Sequence, residues 1–160
     1  MLLLNGSMTP VFFYHLERQP LDAVLPRLLA LSIDRGWRAV VQVGTEERAE
    51  ALASLLWTFS DESFLPHGTK ADGYADLQPV WLTAVDENPN AATVRFYVDG
   101  AAVGDIAGLT RAVILFDGHD ETALDQARTD WKRFRAAGHE VSYWQQDDEG
   151  RWQNRAAQAG

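Results

Sequence analysis

The chain has 160 residues, 46% of them hydrophobic and 23% charged, which suits one domain with a buried core and is too apolar for a disordered chain. Its formal net charge of −9 opposes any wrapping of nucleic acid, because that requires basic surface to displace counterions. The lack of cysteine excludes disulfides and thiolate metal sites and fits a reducing cytoplasm.

The opening residues, MLLLNGSMTPVFFYHL, place no basic segment ahead of an apolar stretch, so no signal peptide is expected. No apolar run approaches the span of a membrane helix. Residues 1–7 read as an N-terminal extension, since Met8 could itself be the start. Val11–Leu16 is a short apolar run rich in β-formers and predicts a buried strand. In the next segment Leu25, Leu28, Leu29 and Ile33 make one helical stripe, with Asp22 as the expected N-cap and Gly36 as the stop. Pro26 should delay or bend the start of that helix. Arg38–Gly44 predicts a second strand, and Thr45 is placed to cap a helix from Glu46 to Phe59. Glu46 and Glu47 favour its N-terminal end.

A long irregular stretch follows, SDESFLPHGTKADGYADLQ. Pro79–Val85 and Thr93–Gly100 predict strands on either side of a turn, DENPNAA. Arg111–Gly118 is continuously apolar, as a central strand covered on both faces would be. A helix is expected over Glu121–Ala137, ended by Gly138, and a last strand over His139–Gln145. Residues 146–160 read as a polar tail with one aromatic, Trp152. Strand and helix alternate at the start and near the end. This predicts an α/β three-layer sandwich over residues 8–145, a mostly parallel sheet with helices on both faces. No obvious helix separates the middle strands, which leaves room for antiparallel pairs and a mixed sheet.

The sequence offers little for catalysis. The turns after the first two strands, ERQPLD and GTEERAE, lack the glycines of a dinucleotide loop. Neither a phosphate-binding G-x-x-x-x-G-K-[ST] nor a hydrolase G-x-S-x-G occurs. The four histidines, His15, His67, His119 and His139, have no metal-ligand spacing. FDGHDE (Phe116–Glu121) gathers Asp117, His119 and Asp120 at the end of the central strand, where α/β sheets often hold a site. A helix cap by Asp120 accounts for the same residues.

Two surfaces look made for partners. In ARTDWKRFRAAG, residues 127–138, Arg128, Lys132 and Arg135 share one narrow helical face, with Arg133 nearby and no acidic neighbour at i±4. Leu124, Ala127, Trp131 and Phe134 form the adjoining apolar stripe, with Leu124 and Trp131 at its edge. One reading is an ordinary amphipathic helix, Trp131 in the core and the cations in water. The other is an apolar edge rimmed by guanidinium groups, suited to a peptide that ends in a hydrophobic residue and a free carboxylate. The second surface surrounds Leu55–His67. Trp57 points about 140° away from the core residue Leu52, and Phe64, Leu65 and Pro66 follow in a loop that either folds back or exposes an aromatic patch.

The same segments resemble a known family. VFFYHL, the W-x6-F-x-P-H element (Trp57, Phe64, Pro66, His67), RAVILFDG and the A-R-x-x-[WY]-[KR]-x-[YF]-R-x-A-G helix occur in the order seen in the chi subunit of bacterial DNA polymerase III, across residues 8–144. The resemblance implies an α/β accessory subunit of the clamp-loader complex, without catalytic activity, cofactor or metal, acting in replication in the cytoplasm. It implies a tail-binding site for single-stranded DNA-binding protein at Arg128, Trp131, Lys132 and Arg135, beside Leu124, which stands where some relatives carry a base. The bound tail is acidic and ends in Pro-Phe. The resemblance also implies a psi-subunit face at Trp57, Phe64, Leu65 and Pro66 that could serve a repair helicase as well. No direct DNA or membrane binding is expected. The competing reading is a small nucleotide-binding protein or hydrolase built on the Asp117–His119–Asp120 turn.

Overall fold

The computed structural model describes residues 8–58 and 66–155. Eight strands form one sheet: β1 (Val11–Leu16), β2 (Ala39–Gln42), β3 (His67–Gly68), β4 (Val80–Thr83), β5 (Val94–Tyr97), β6 (Arg111–Asp117), β7 (Val141–Gln146) and β8 (Trp152–Asn154). Their order is β3-β4-β2-β5-β6-β1-β7-β8. Among the described residues three α-helices pack on the sheet: α1 (Leu21–Asp34), α2 (Glu46–Trp57) and α3 (Glu121–Ala136). The protein is an α/β three-layer sandwich, as its alternating pattern predicts.

Side-chain alternation divides the sheet between two cores. Val113 and Leu115 of β6 join Leu25, Leu29, Leu52 and Leu56 beneath α1 and α2. Ile114 and Phe116, one residue out of phase, join Val11, Phe13, Ala127 and Phe134 beneath α3. Helix α3 therefore lies over β1 and β6, on the face opposite the other two helices.

The sheet is mostly parallel and mixed, as read from the sequence, but its antiparallel pair lies at the edge and not among the middle strands. All neighbouring pairs are parallel except β7 with β8. Parallel neighbours need a crossover, and here loops take the place of helices. The connection from β5 to β6 buries Ile106 in the α3-side core, where its carbonyl accepts from the Thr9 hydroxyl at 2.8 Å. The connection from β4 to β5 is held by polar groups. Arg95, 4% exposed, donates to Gln42 Oε1 (2.8 Å) and to the carbonyls of Val85 (3.1 Å) and Glu87 (2.6 Å). Asn90 donates to the carbonyls of Ala39 (3.1 Å) and Gln78 (2.8 Å). Satisfied in this way, the loop backbone can cross the sheet without helical hydrogen bonding.

Three local readings also change. Helix α1 begins at Leu21 with Pro20 in the N-cap position. Asp22 is in its first turn, 3.5 Å from Arg48, rather than capping it. The irregular stretch holds β3 and a 3-10 turn at Ala75–Leu77. Trp152, read as part of a polar tail, starts β8 and packs edge-on against Tyr14 at 5.0 Å, so residues 152–154 extend the sheet. Thr45 and Asp120 cap α2 and α3 as expected, accepting from Arg48 N–H and Thr122 N–H. Gly36 and Gly138 follow α1 and α3 with positive φ (81° and 95°), where a side chain would be strained.

Candidate functional site

Helix α3 has one seam of side chains in the core and two unlike flanks. Ala127 and Phe134 form the seam, 5% and 4% exposed. On the flank nearest β7, Leu124 and Trp131 are half-buried, and Arg128, Lys132 and Arg135 are exposed. Trp131 is neither enclosed nor free. Its indole meets Phe13 of β1 at 5.5 Å and Tyr143 of β7 at 5.7 Å, both edge-on. The Arg135 guanidinium lies 6.0 Å above it, within reach of a cation–π attraction. Leu124, Arg128, Trp131, Lys132 and Arg135 thus share one edge, with an apolar floor and a cationic rim.

The cations are not alike, and one part of the sequence reading needs correction. Acidic neighbours do exist, at i−3 rather than i±4. Arg128 meets Asp125 at 3.1 Å, with both side chains mostly in solvent (68% and 77% exposed). Such a pair contributes at most about 1 kcal/mol, which a ligand carboxylate can replace. Arg133 meets Asp130 at the same distance, but that carboxylate is only 9% exposed and also accepts from Gln126. Arg133 additionally reaches the Val103 carbonyl and covers the Phe134 ring at 4.3 Å. It belongs to the opposite flank and is held there.

Behind the Arg128 edge lies a polar cluster not picked out by sequence reasoning. His15 Nδ1 is 2.6 Å from the Tyr143 hydroxyl, and His15 Nε2 is 3.5 Å from a Glu17 carboxylate oxygen. Gln145 donates to the same carboxylate oxygen at 2.7 Å, and His119 Nε2 contacts the Glu17 carbonyl at 2.9 Å. Burial holds His15 below its usual value of 6.5; Glu17 and Asp117 oppose this, while His119 and Arg128 reinforce it. Burial likewise raises the Tyr143 hydroxyl, against the pull of Arg128. The available signal was alternation: Phe13 and His15 share a face of β1, and Phe13 is paired in register with Tyr143.

The Asp117–His119–Asp120 turn is occupied by its own geometry. Asp117 accepts from His119 N–H at 2.8 Å, and Asp120 caps α3. Beside it, at the C-terminal ends of β1, β5 and β6, a cleft of about 740 Å³ opens on the other flank of α3. Glu17, Asp99, Asp117, Asp120 and Asp130 line it together with Arg18, a balance of charge that opposes nucleotide phosphates. Among the described residues no three His, Asp or Glu side chains gather as metal ligands, and no helix is long and apolar enough to cross a membrane.

The second surface is described in part. Trp57, at the end of α2, is 58% exposed and lies against the His67 ring at 4.4 Å. His67 is itself buried, its Nε2 2.8 Å from the Ala53 carbonyl, which ties β3 to α2. Pro66 is half-buried. Phe64 and Leu65, like the expected helix end at Phe59, lie outside the described residues.

These surfaces can be set beside known proteins. The family model described as DNA polymerase III chi subunit, HolC, matches residues 8–142. The chain belongs to that family. A curated relative, "Probable DNA polymerase III subunit chi" of Rickettsia prowazekii (strain Madrid E), is 26% identical over 103 residues, which is 64% of this chain. The match spans 62% of that relative's length. Both the α3 edge and Trp57 fall within the family match.

Proposed function

We propose that this chain is a non-catalytic accessory subunit of the DNA polymerase III holoenzyme that works as an adaptor in DNA replication in the cytoplasm. Its α3 edge takes the acidic, Phe-terminated C-terminal tail of single-stranded DNA-binding protein. Its Trp57 face, with Phe64, Leu65 and Pro66, takes the psi subunit and through it the clamp loader, and serves a repair helicase as an alternative partner. The observation that carries the reading is a half-buried indole, Trp131, wedged between Phe13 and Tyr143, beside an exposed Arg128 that is paired with a solvent-facing aspartate.

The chemistry suits that ligand. The terminal Phe ring packs on Trp131 and Leu124 while its carboxylate meets Arg128. Acidic residues upstream meet Lys132 and Arg135. Burying a Phe side chain contributes about 2–3 kcal/mol, and each charge-assisted hydrogen bond about 1.5–3 kcal/mol. Association entropy opposes this by at least about 4 kcal/mol. The upper end of this balance corresponds to about micromolar affinity, and the binding weakens with salt. Calorimetric titration with the tail peptide, with and without its last Phe, tests the reading. Saturable binding that disappears with that residue supports it; equal binding of both peptides, or of neither, refutes it.

A further inference from the structure

This inference rests on the tail site just proposed and concerns what controls it. The Tyr143 ring borders the Trp131 indole, and its hydroxyl is 2.6 Å from His15 Nδ1. The backbone of Gly118 packs close to the imidazole on its Nε2–Cδ2 edge. A side-chain Cβ at that glycine would collide with the ring and approach Glu17 to 2.8 Å. On that same edge, Nε2 is buried without a hydrogen-bond partner, facing the Glu17 carboxylate at 3.5 Å.

That arrangement fixes the protons. A nitrogen lone pair aimed at a carboxylate is repelled, so in the neutral imidazole the hydrogen sits on Nε2. Nδ1 then accepts the Tyr143 hydroxyl proton, and the phenol oxygen presents only lone pairs outward, which repel an incoming carboxylate. When His15 takes up a proton, it lands on Nδ1 and is donated to the Tyr143 oxygen. The phenol hydrogen is released to point outward as a donor. The imidazolium also adds a positive charge next to Arg128 and gains Glu17 as its counterion.

We infer that Tyr143 is a further carboxylate-binding residue of the tail site, and that protonation of His15 switches its hydroxyl from committed donor to available one. Proton uptake and carboxylate binding then favour each other, and the coupling is reciprocal. Other charged groups around the ring are Glu17 on the exit from β1, Asp117 and His119 on the turn after β6, and Arg128 on α3. From β7, Gln145 also reaches His15 Nδ1 at 3.4 Å. Burial lowers the His15 pKa below its usual 6.5, so affinity rises as the pH falls through that lowered value.

The test uses the full chain and the acidic Phe-terminated peptide, titrated at about pH 8 and about pH 5.5, where the peptide's carboxylates are ionised throughout. Wild type is expected to bind at least about fivefold more tightly at the lower pH, the low end of typical coupling between sites. His15→Gln and Tyr143→Phe should flatten the profile, with circular dichroism confirming that both variants are folded. Adding peptide should also raise the pH at which the His15 ring signals titrate by nuclear magnetic resonance. Binding with equal affinity at both pH values, or an unchanged slope in His15→Gln and Tyr143→Phe, overturns this inference and leaves the tail site standing. Binding at neither pH overturns the tail site itself.

Discussion

The two flanks of α3 carry similar charges and use them in opposite ways. On the β5 side, Arg133, Asp130 and Gln126 bind one another, the carboxylate is nearly buried, and the guanidinium is spread over Phe134. On the β7 side, Arg128, Lys132 and Arg135 stand in solvent around a half-buried indole. Breaking the first set strands a buried charge. Freeing Arg128 from Asp125 costs little, because both groups are already hydrated. Cations tied into a fold and cations left in solvent are separated by the burial of their partners, not by their count along the helix.

The comparison breaks most completely at its shared footing. Phe134→Ala removes the side chain that seats both flanks and is expected to destabilise the protein by about 3–5 kcal/mol in urea unfolding. A loss below about 1 kcal/mol would mean that α3 is anchored elsewhere. Next come the residues proposed to face the ligand. Arg128→Ala and Trp131→Ala should each lower tail-peptide affinity at least about tenfold, or about 1.4 kcal/mol, with the far-ultraviolet spectrum unchanged. Unaltered binding in both variants would remove the site assignment.

Arg133→Gln sharpens the contrast in the other direction. Leaving the nearly buried Asp130 carboxylate to Gln126, it should cost about 1–3 kcal/mol of stability, and it should change peptide affinity by less than about twofold. A tenfold loss of binding would make the two flanks one site. The smallest effect concerns acid. Burial depresses His15 below 6.5 in the folded state. Its contribution to stability is therefore complete above that pH and is lost as the pH falls through the lowered value. His15→Gln should flatten that part of the unfolding profile, seen as a smaller drop in denaturation midpoint between neutral and mildly acid pH.

Much of this molecule can be read in its sequence where a pattern has one physical meaning. The unbroken apolar run of β6, the caps at Thr45 and Asp120, and the split of α3 into core seam and charged face follow from periodicity and hydrogen-bonding chemistry. The parallel middle strands do not. Their crossovers depend on Arg95 and Asn90 tying up loop carbonyls, and a strand pattern does not announce that a charged residue will be buried. β8 escaped because Trp152 gains its burial from Tyr14, far away in the chain. At the candidate site, the shared edge of Arg128, Trp131, Lys132 and Arg135 was legible from helical spacing. The separate allegiance of Arg133 was not, since it depends on the burial of Asp130. His15 and Tyr143 were hidden for a similar reason: strand register, not sequence proximity, brings them together.

The account is tested most directly through the indole N–H signals of the six tryptophans, followed by nuclear magnetic resonance while the tail peptide is added. The expected result is a saturable shift of the Trp131 signal, abolished when the peptide's terminal Phe is removed, with Trp57 undisturbed. A shift at Trp57 with Trp131 unmoved would contradict the claim that the α3 edge receives the tail.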